Sequence, residues 1–108
     1  ELNVLQQRIR DGLLFDAFGS LISKKQHLAC EMILLQDLSF AEAAEKMGVS
    51  RQGVHELLTR ARERMEKYES SLKLLDKNNK IEEMEKELES YKELLPLEFY
   101  NKIKSLLI

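Results

Sequence analysis

A short stretch near the middle of the chain carries polar side chains of the kinds that read the edges of DNA bases. If this stretch is helical from Ser50 onward, these side chains recur at a spacing that gives them a shared outward face. Arginine can donate two hydrogen bonds to guanine, glutamine can pair with adenine, and glutamate can accept from the cytosine amino group. The candidates for base contact are Ser50, Arg51, Gln52, His55, Glu56 and Thr59.

Three arginines in the same region suit contacts with backbone phosphates better than contacts with bases. They are Arg60, Arg62 and Arg64. Residues 50–65 carry a net positive charge, although the formal net charge of the whole chain is −2. Because the arginine-rich stretch is short, it predicts local phosphate contact rather than strong non-specific binding. Glu56 would repel a misaligned phosphate, which favours selective or weak binding.

Other chemistry has little support in the sequence. His27 and Cys30 lie three residues apart and could face one metal ion, but no second pair of ligands accompanies them. No nucleophile has a recognisable base and orienting partner, and there is no glycine-rich phosphate loop. We therefore expect a protein that is not an enzyme and has no metal or cofactor. One cysteine cannot form an internal disulfide, which favours the cytoplasm, and no apolar run approaches the roughly 20 residues of a membrane span.

The elements that position the polar residues have the spacing of a helix-turn-helix over residues 39–66. Ser39 and Glu42 match a capping box, which would begin the first helix of the motif. Ala44 supplies a small side chain where two helices cross closely, and Gly48 permits the tight turn four residues later. The other inward positions are apolar, namely Ala43, Met47, Val49, Val54 and Leu57. This pattern predicts that the second helix presents its first turns to a major groove.

Two further helices are predicted before the motif. The first covers residues 2–18, and the second runs from a capping box at Ser23 and Gln26 to about Gln36. The first helix is expected to bury an apolar stripe formed by Leu2, Leu5, Ile9, Leu13 and Ala17, widened by Leu14, Phe15 and Phe18. The sequence therefore predicts an all-α fold.

The C-terminal part is predicted to be helical as well. The recognition helix is expected to continue to about Leu75, and the residues at 76–80 favour a turn. A fifth helix is expected over 81–95, and Pro96 can start a last one because the first helical position needs no amide hydrogen. The expected buried face of that last helix consists of Phe99, Ile103 and Leu106.

Apolar side chains alternate at spacings of three and four residues in both long C-terminal helices. This heptad spacing suits packing against another long helix, but it does not specify which chain supplies that helix. The two helices could fold back on one another or pair with a second chain, and we favour a homodimer through them. We accordingly predict a helical domain at 1–66 and a C-terminal extension at 67–108 that mediates dimerisation and shares the same core.

The segment Asp37–Leu72 resembles region 4 of bacterial sigma-70 factors and, more closely, the YlxM family of small sigma-region-4-like proteins. Further marks of the resemblance are the sequences LISKKQ at 21–26 and EKYESSL at 66–72. The resemblance implies a sigma-70 region-4-like helix-turn-helix domain with a long C-terminal helical extension. It also implies that the base-reading positions are those of Ser50, Arg51, Gln52, His55 and Glu56.

YlxM-family genes lie beside those of the signal recognition particle GTPases, and the family is described as a DNA-binding accessory of that pathway. The resemblance therefore implies a cytoplasmic bacterial factor linked to the expression or assembly of the particle. The chain departs from the family pattern at Ile33, Leu34 and Leu38, where aromatic residues are usual, and at Gly53, where alanine is common. These changes preserve the apolar core. The resemblance therefore implies the fold more strongly than it implies the ligand.

Two other interpretations are open. A fragment of a true sigma factor is disfavoured because a long segment follows the recognition helix, where sigma factors usually end. A helical adaptor that binds protein or RNA of the signal recognition particle, rather than DNA, is favoured by the low net charge and by Glu56. Arg51, Gln52 and the arginines that follow oppose it. The expected partner is thus double-stranded DNA or, alternatively, the particle's RNA or protein, with no membrane association.

Overall fold

Every regular element of the computed structural model, which describes residues 2–107, is helical. The all-α prediction is therefore confirmed. Short 3₁₀ turns follow the first and fifth helices, and the second helix continues through a wider π turn, Glu31–Leu35. The helices are α1 (Val4–Phe18), α2 (Lys24–Cys30), α3 (Phe40–Met47), α4 (Arg51–Leu72), α5 (Leu74–Ser90) and α6 (Leu97–Leu107).

Capping boxes fix where the first three helices begin. At the start of α3, the Glu42 amide donates to Ser39 Oγ at 3.1 Å, and the Ser39 amide donates to the Glu42 carboxylate at 2.9 Å. These bonds satisfy two amide groups that the helix itself cannot pair, and they lower the pKa of Glu42. The boxes at the starts of α1 and α2 join Asn3 to Gln6 and Ser23 to Gln26. Both predicted capping boxes are thus confirmed.

The chain divides into two compact units between Lys73 and Leu74. Lys73 ends α4 by adopting the left-handed conformation, with a φ of 52°. The boundary therefore falls after Lys73 rather than after residue 66, because α4 continues without interruption to Leu72.

The turn predicted at residues 76–80 is wrong, since these residues lie within α5. Their low helix propensity is offset locally. Asp76 lies in the first turn of α5, where a negative charge interacts favourably with the helix dipole, and Lys80 Nζ lies 3.3 Å from its carboxylate.

The hydrophobic core of the first unit lies around α4. Each of α1, α2 and α3 packs against that helix, and its buried side chains are Val54, Leu58, Ala61 and Met65. Its main partners are Leu14 and Phe18 of α1, Ala29 and Cys30 of α2, and Ala43 and Ala44 of α3. This packing holds the predicted helix-turn-helix against a rigid support.

Only part of the predicted apolar face of α1 packs on this core. Leu5 and Ile9, in the middle of the predicted apolar stripe, are 69% and 56% exposed. The helix buries Leu14, Phe15 and Phe18, which were predicted to widen the stripe, together with the carboxylate of Asp11, which was not predicted. Arg62 of α4 donates two hydrogen bonds of 2.8 Å to that carboxylate, and Gln7 donates a third. This buried ion pair sets the rotation of α1 about its axis, which hydrophobic spacing alone does not specify.

The second unit contains one buried side chain, Tyr100, among its described residues. Tyr100 donates to Glu89, and Lys104 donates to the same carboxylate, so that α5 and α6 are tied together. The fifth helix ends at Ser90 and is followed by a 3₁₀ turn, not at residue 95 as predicted. The last helix does begin directly after Pro96. Its predicted buried face is wrong for Phe99 and Leu106, which are exposed, whereas Ile103 is half-buried and Tyr100 is covered.

Within the described residues, no helix is long and apolar enough to cross a membrane. The same part of the chain has no group of three or more histidine, cysteine or acidic side chains that could hold a metal ion.

Candidate nucleic-acid interface

Gly48 makes the turn between the two helices of the motif. Its backbone has a φ of 69° and a ψ of 32°, in the left-handed region where other residues are strained. The Val49 amide donates to the Ala44 carbonyl at 3.1 Å, which closes the end of α3. Ala43 and Val54 are fully buried between the helices. The predicted motif is therefore present with the predicted residues at its crossing and its turn.

Arg51, Gln52, Glu56 and Thr59 are exposed along the first turns of α4. Gln52, Glu56 and Thr59 lie on the side of α4 away from the buried positions Val54 and Leu58, and Arg51 is exposed beside them in the first turn. Their side chains therefore project from a backbone that the core holds in place. This arrangement brings four of the predicted base-contact residues together on one surface.

Ser50 has a structural role at the start of this surface. Its hydroxyl oxygen accepts a hydrogen bond of 2.9 Å from the Gly53 amide and so caps α4. A Cβ atom at Gly53 would lie 3.2 Å from this oxygen, which is tighter than most Cβ contacts, and 3.5 Å from Val49 Cβ, which is an ordinary van der Waals contact. Gly53 therefore allows the capping serine to sit tightly over the first turn.

His55 packs against α3 instead of projecting freely. Its ring stacks on Phe40, with 3.7 Å between ring centroids and 14° between the planes. Phe40 is the first residue of α3, so the stack links the starts of the two helices. One face of the imidazole is covered, which leaves the ring edge and the opposite face for other contacts.

Glu56 and Arg60 form an ion pair one turn apart on the outer face of α4. Arg60 donates to Glu56 Oε1 from Nη2 at 2.9 Å and from Nε at 3.3 Å. These bonds raise the pKa of the Arg60 guanidinium. The pairing also compensates the negative charge of Glu56, which would otherwise oppose an approaching phosphate.

Arg62 does not belong to this surface. It is held by the Asp11 carboxylate, whose side chain is 5% exposed, and this pairing raises the pKa of Arg62. A neighbouring pair, Arg10 with Glu66 at 2.7 Å, also joins α1 to α4. Spacing along the sequence placed Arg62 with the phosphate-contacting arginines, because a stripe of arginines does not reveal which of them meets a buried acid. We therefore assign Arg62 to the α1–α4 packing.

Arg64 lies beside a groove that the sequence did not predict. Its Nε donates to Tyr68 Oη at 3.4 Å, and Tyr68 donates in turn to the Leu21 carbonyl at 3.1 Å. Gln26 of α2 and Lys67 of α4 line the same groove. The sequence indicated neither residue as part of a ligand site, since only the packing of α2 on α4 brings them together.

His27 and Cys30, the two residues considered for metal binding, contribute to the fold instead: His27 contacts neighbouring groups and Cys30 is buried. His27 Nδ1 lies 2.8 Å from the Gly19 carbonyl, and its Nε2 lies 3.5 Å from Glu31. Cys30 is fully buried, and this burial raises the pKa of its thiol to about 11. A thiol with so high a pKa is protonated near neutral pH and is a poor nucleophile.

Comparison with known proteins identifies a family that shares this motif. A family model described as "Putative helix-turn-helix protein, YlxM / p13 like" matches residues 5–105. The chain belongs to this family, UPF0122. A UPF0122 protein of Clostridium kluyveri is 37% identical over 82 residues, which cover 76% of this chain and 74% of the relative. One from Caldanaerobacter subterraneus subsp. tengcongensis is 41% identical over 83 residues, covering 77% and 68%.

A third UPF0122 protein, from Halalkalibacterium halodurans, is 36% identical over 85 residues, covering 79% of this chain and 78% of the relative. The resemblance to the YlxM family that the sequence indicates is thus confirmed. The family match extends through both units, so the C-terminal helices belong to the shared architecture.

Proposed function

We propose that this protein binds double-stranded DNA through the first turns of α4 and acts as a regulatory factor. The observation that carries the proposal is the exposed polar face of Arg51, Gln52, Glu56 and Thr59 on a helix fixed from behind by a buried core. A helix of this kind fits the major groove of B-form DNA. The family's helix-turn-helix description supports the same assignment.

Each exposed side chain has a distinct expected contact. Arg51, beside the N-cap, can donate two hydrogen bonds to a guanine or contact a phosphate, and Gln52 can pair with an adenine. Glu56 can accept from a cytosine amino group while Arg60 compensates its charge. Thr59 and the edge of the stacked His55 ring lie on the flanks and suit contacts with a sugar or a phosphate.

We further propose that the protein acts as a homodimer through its second unit. A compact unit of fewer than about 40 residues rarely buries enough apolar surface to be stable alone, and Tyr100 is the one buried side chain among the residues of this unit that the structure describes. An apolar groove of about 660 Å³ runs along α5 and α6, lined by Met84, Leu88, Tyr91, Leu95 and Ile103 among others. A second copy of the chain is the simplest partner to cover this groove, because it is present wherever the protein is made. Two-fold pairing would present two recognition helices to a split DNA site.

A role in the signal recognition particle pathway is part of the proposal because the sequence resembles the YlxM family. In this role the protein would regulate expression of the particle or assist its assembly in the cytoplasm, without catalysing a reaction. The competing candidate is a helical adaptor that binds RNA or protein of the particle. The observation favouring it is the Glu56–Arg60 pair, which leaves the outer face of α4 less basic than its arginine content suggests.

The test is fluorescence anisotropy of the full chain with labelled duplex DNA and with signal recognition particle RNA, over a salt series. The double variant Arg51→Ala/Gln52→Ala should reduce the preference among duplex sequences and weaken binding to the preferred one about tenfold or more. Lys86→Ala/Lys102→Ala, which removes two charges from the second unit, should bind as the unaltered protein does. Binding that is salt-insensitive, or equal for both double variants, would refute the recognition surface. Preference for the RNA over every duplex would favour the adaptor.

A further inference from the structure

The strongest feature outside the recognition surface is a groove between α2 and the second half of α4. It has a volume of about 420 Å³ and is open to solvent along one side. Its lining is polar and contains Glu63 and three cationic side chains, of which Arg60 is paired with Glu56 and the other two are Arg64 and Lys67. The lining residues are Gln26, Arg60, Glu63, Arg64, Lys67 and Tyr68. In a chain whose net charge is −2, this local excess of positive charge marks the groove as a site for an anion.

Arg64 is oriented by its neighbours rather than left to move freely. Tyr68 is fixed by its hydrogen bond of 3.1 Å to the Leu21 carbonyl and by the ring of Phe18, whose centroid lies 6.0 Å from its own. The Tyr68 hydroxyl then accepts from Arg64 Nε. Because this bond uses only Nε, the end of the guanidinium formed by Nη1 and Nη2 is left for a ligand. A guanidinium held in this way can bind two oxygens of one phosphate.

Lys67 and Arg60 extend the cationic surface on either side. Lys67 follows Arg64 by three residues, and Arg60 precedes it by four, so the three share one side of α4. The span from Arg60 to Lys67 is about 10 Å along the helix axis, at about 1.5 Å per residue. A span of this length matches more than one phosphate along a nucleic-acid strand, because DNA carries one phosphate per about 3.4 Å of axis on each strand.

We propose that this α2–α4 groove binds the phosphate backbone of duplex DNA beyond the base-reading turns of α4. Arg64 is the bidentate phosphate ligand, Tyr68 is its positioning residue, and Lys67 supplies the neighbouring charge. The proposal rests on the proposed function, because it takes the same DNA as its ligand. It differs in what it contributes, since the groove adds affinity for any sequence and the recognition face adds sequence preference.

The test measures affinity and its salt dependence for a fluorescein-labelled random-sequence duplex. Arg64→Ala/Lys67→Ala should weaken binding about tenfold on all duplexes and reduce the slope of log affinity against log salt by about 1 to 2. Lys86→Ala/Lys102→Ala removes the same number of charges and should leave affinity and slope near those of the unaltered protein. Arg64→Lys should keep the salt slope of the unaltered protein but only part of its affinity for DNA. Lysine retains the positive charge but lacks the guanidinium group that can donate two hydrogen bonds to one phosphate.

Tyr68→Phe tests the positioning role separately. It keeps the ring against Phe18 but removes the hydroxyl, so binding should weaken about two- to threefold with an unchanged salt slope. Circular dichroism of each variant should show the unaltered helix content. If the unaltered protein binds duplex DNA and Arg64→Ala/Lys67→Ala matches it in affinity and slope, the groove is refuted and the recognition face stands. If the unaltered protein binds no duplex at all, the proposed function fails, and the groove proposal fails with it.

Discussion

At the residue scale, the pair formed by Asp11 and Arg62 shows that burial determines whether an arginine stabilises the fold or is available to a ligand. Arg62 donates from Nε and Nη2, each at 2.8 Å, to the two oxygens of a carboxylate that solvent scarcely reaches. Removing Arg62 would leave the buried Asp11 carboxylate without a compensating charge. Arg60 is also paired, but its pair with Glu56 lies in solvent, where ion pairs contribute little to stability. Two arginines two positions apart therefore serve different purposes.

This contrast predicts opposite outcomes for two similar substitutions. Arg62→Ala should lower the free energy of unfolding by about 2 to 3 kcal/mol, because it leaves Asp11 buried and unpaired. Arg60→Ala should change stability little and should instead weaken DNA binding. Urea unfolding followed by circular dichroism measures the first effect, and anisotropy measures the second. Equal destabilisation by both substitutions would contradict the assignment of Arg62 to the core.

At the element scale, the helices begin and end where short-range chemistry directs them. Ser23 and Ser39 cap their helices as the sequence predicts, because a capping hydrogen bond spans only three residues, and Ser50 caps α4 in the same way. Gly48 is equally predictable from the spacing of the motif. The left-handed residue Lys73 is not, since lysine has no intrinsic preference for that conformation. The sequence therefore identifies the beginnings of these helices better than the end of α4.

Two glycines allow a test of how far backbone conformation governs these elements. Gly48→Ala should lower the free energy of unfolding by about 1 to 2 kcal/mol, because a φ of 69° strains any residue with a Cβ atom even where, as here, there is space for it. Gly12→Ala should raise stability by about 0.5 to 1 kcal/mol, since Gly12 lies within α1 and an added Cβ meets nothing within 4 Å. Thermal unfolding of the two variants measures both changes. A stabilising Gly48→Ala would contradict the left-handed turn.

At the scale of the whole molecule, periodicity identifies helices but leaves open which faces are covered. The exposed stripe on α1 and the buried Asp11 differ from expectation because a long-range ion pair outweighs hydrophobic spacing. The groove with Arg64, Gln26 and Lys67 was likewise beyond prediction, since it requires α2 and α4 to meet. The exposure of Arg51, Gln52, Glu56 and Thr59 was predictable because it follows from the local motif. Non-local contacts therefore decide what the sequence alone leaves undetermined.

The second unit exposes apolar side chains on both α5 and α6, and this surface provides the last prediction. Met84, in the groove along these helices, is 50% exposed, and replacing it with aspartate would place a charge where the proposed second copy packs. Met84→Asp should convert the dimer to a monomer in sedimentation velocity experiments at micromolar concentration. It should also weaken binding to a split DNA site by far more than binding to a single half-site, because two linked recognition helices bind far more tightly than one.

Leu94→Asp provides the matched control for this prediction. Leu94 is 78% exposed, lies in the same unit and is not part of the groove, so its substitution adds the same charge without touching the proposed interface. It should leave the dimer intact. A dimer that persists in Met84→Asp, or one that dissociates equally in both variants, would show that the α5–α6 groove is not what joins the two copies. In that case the exposed apolar stripe of α1 would be the next surface to alter, beginning with Ile9→Asp.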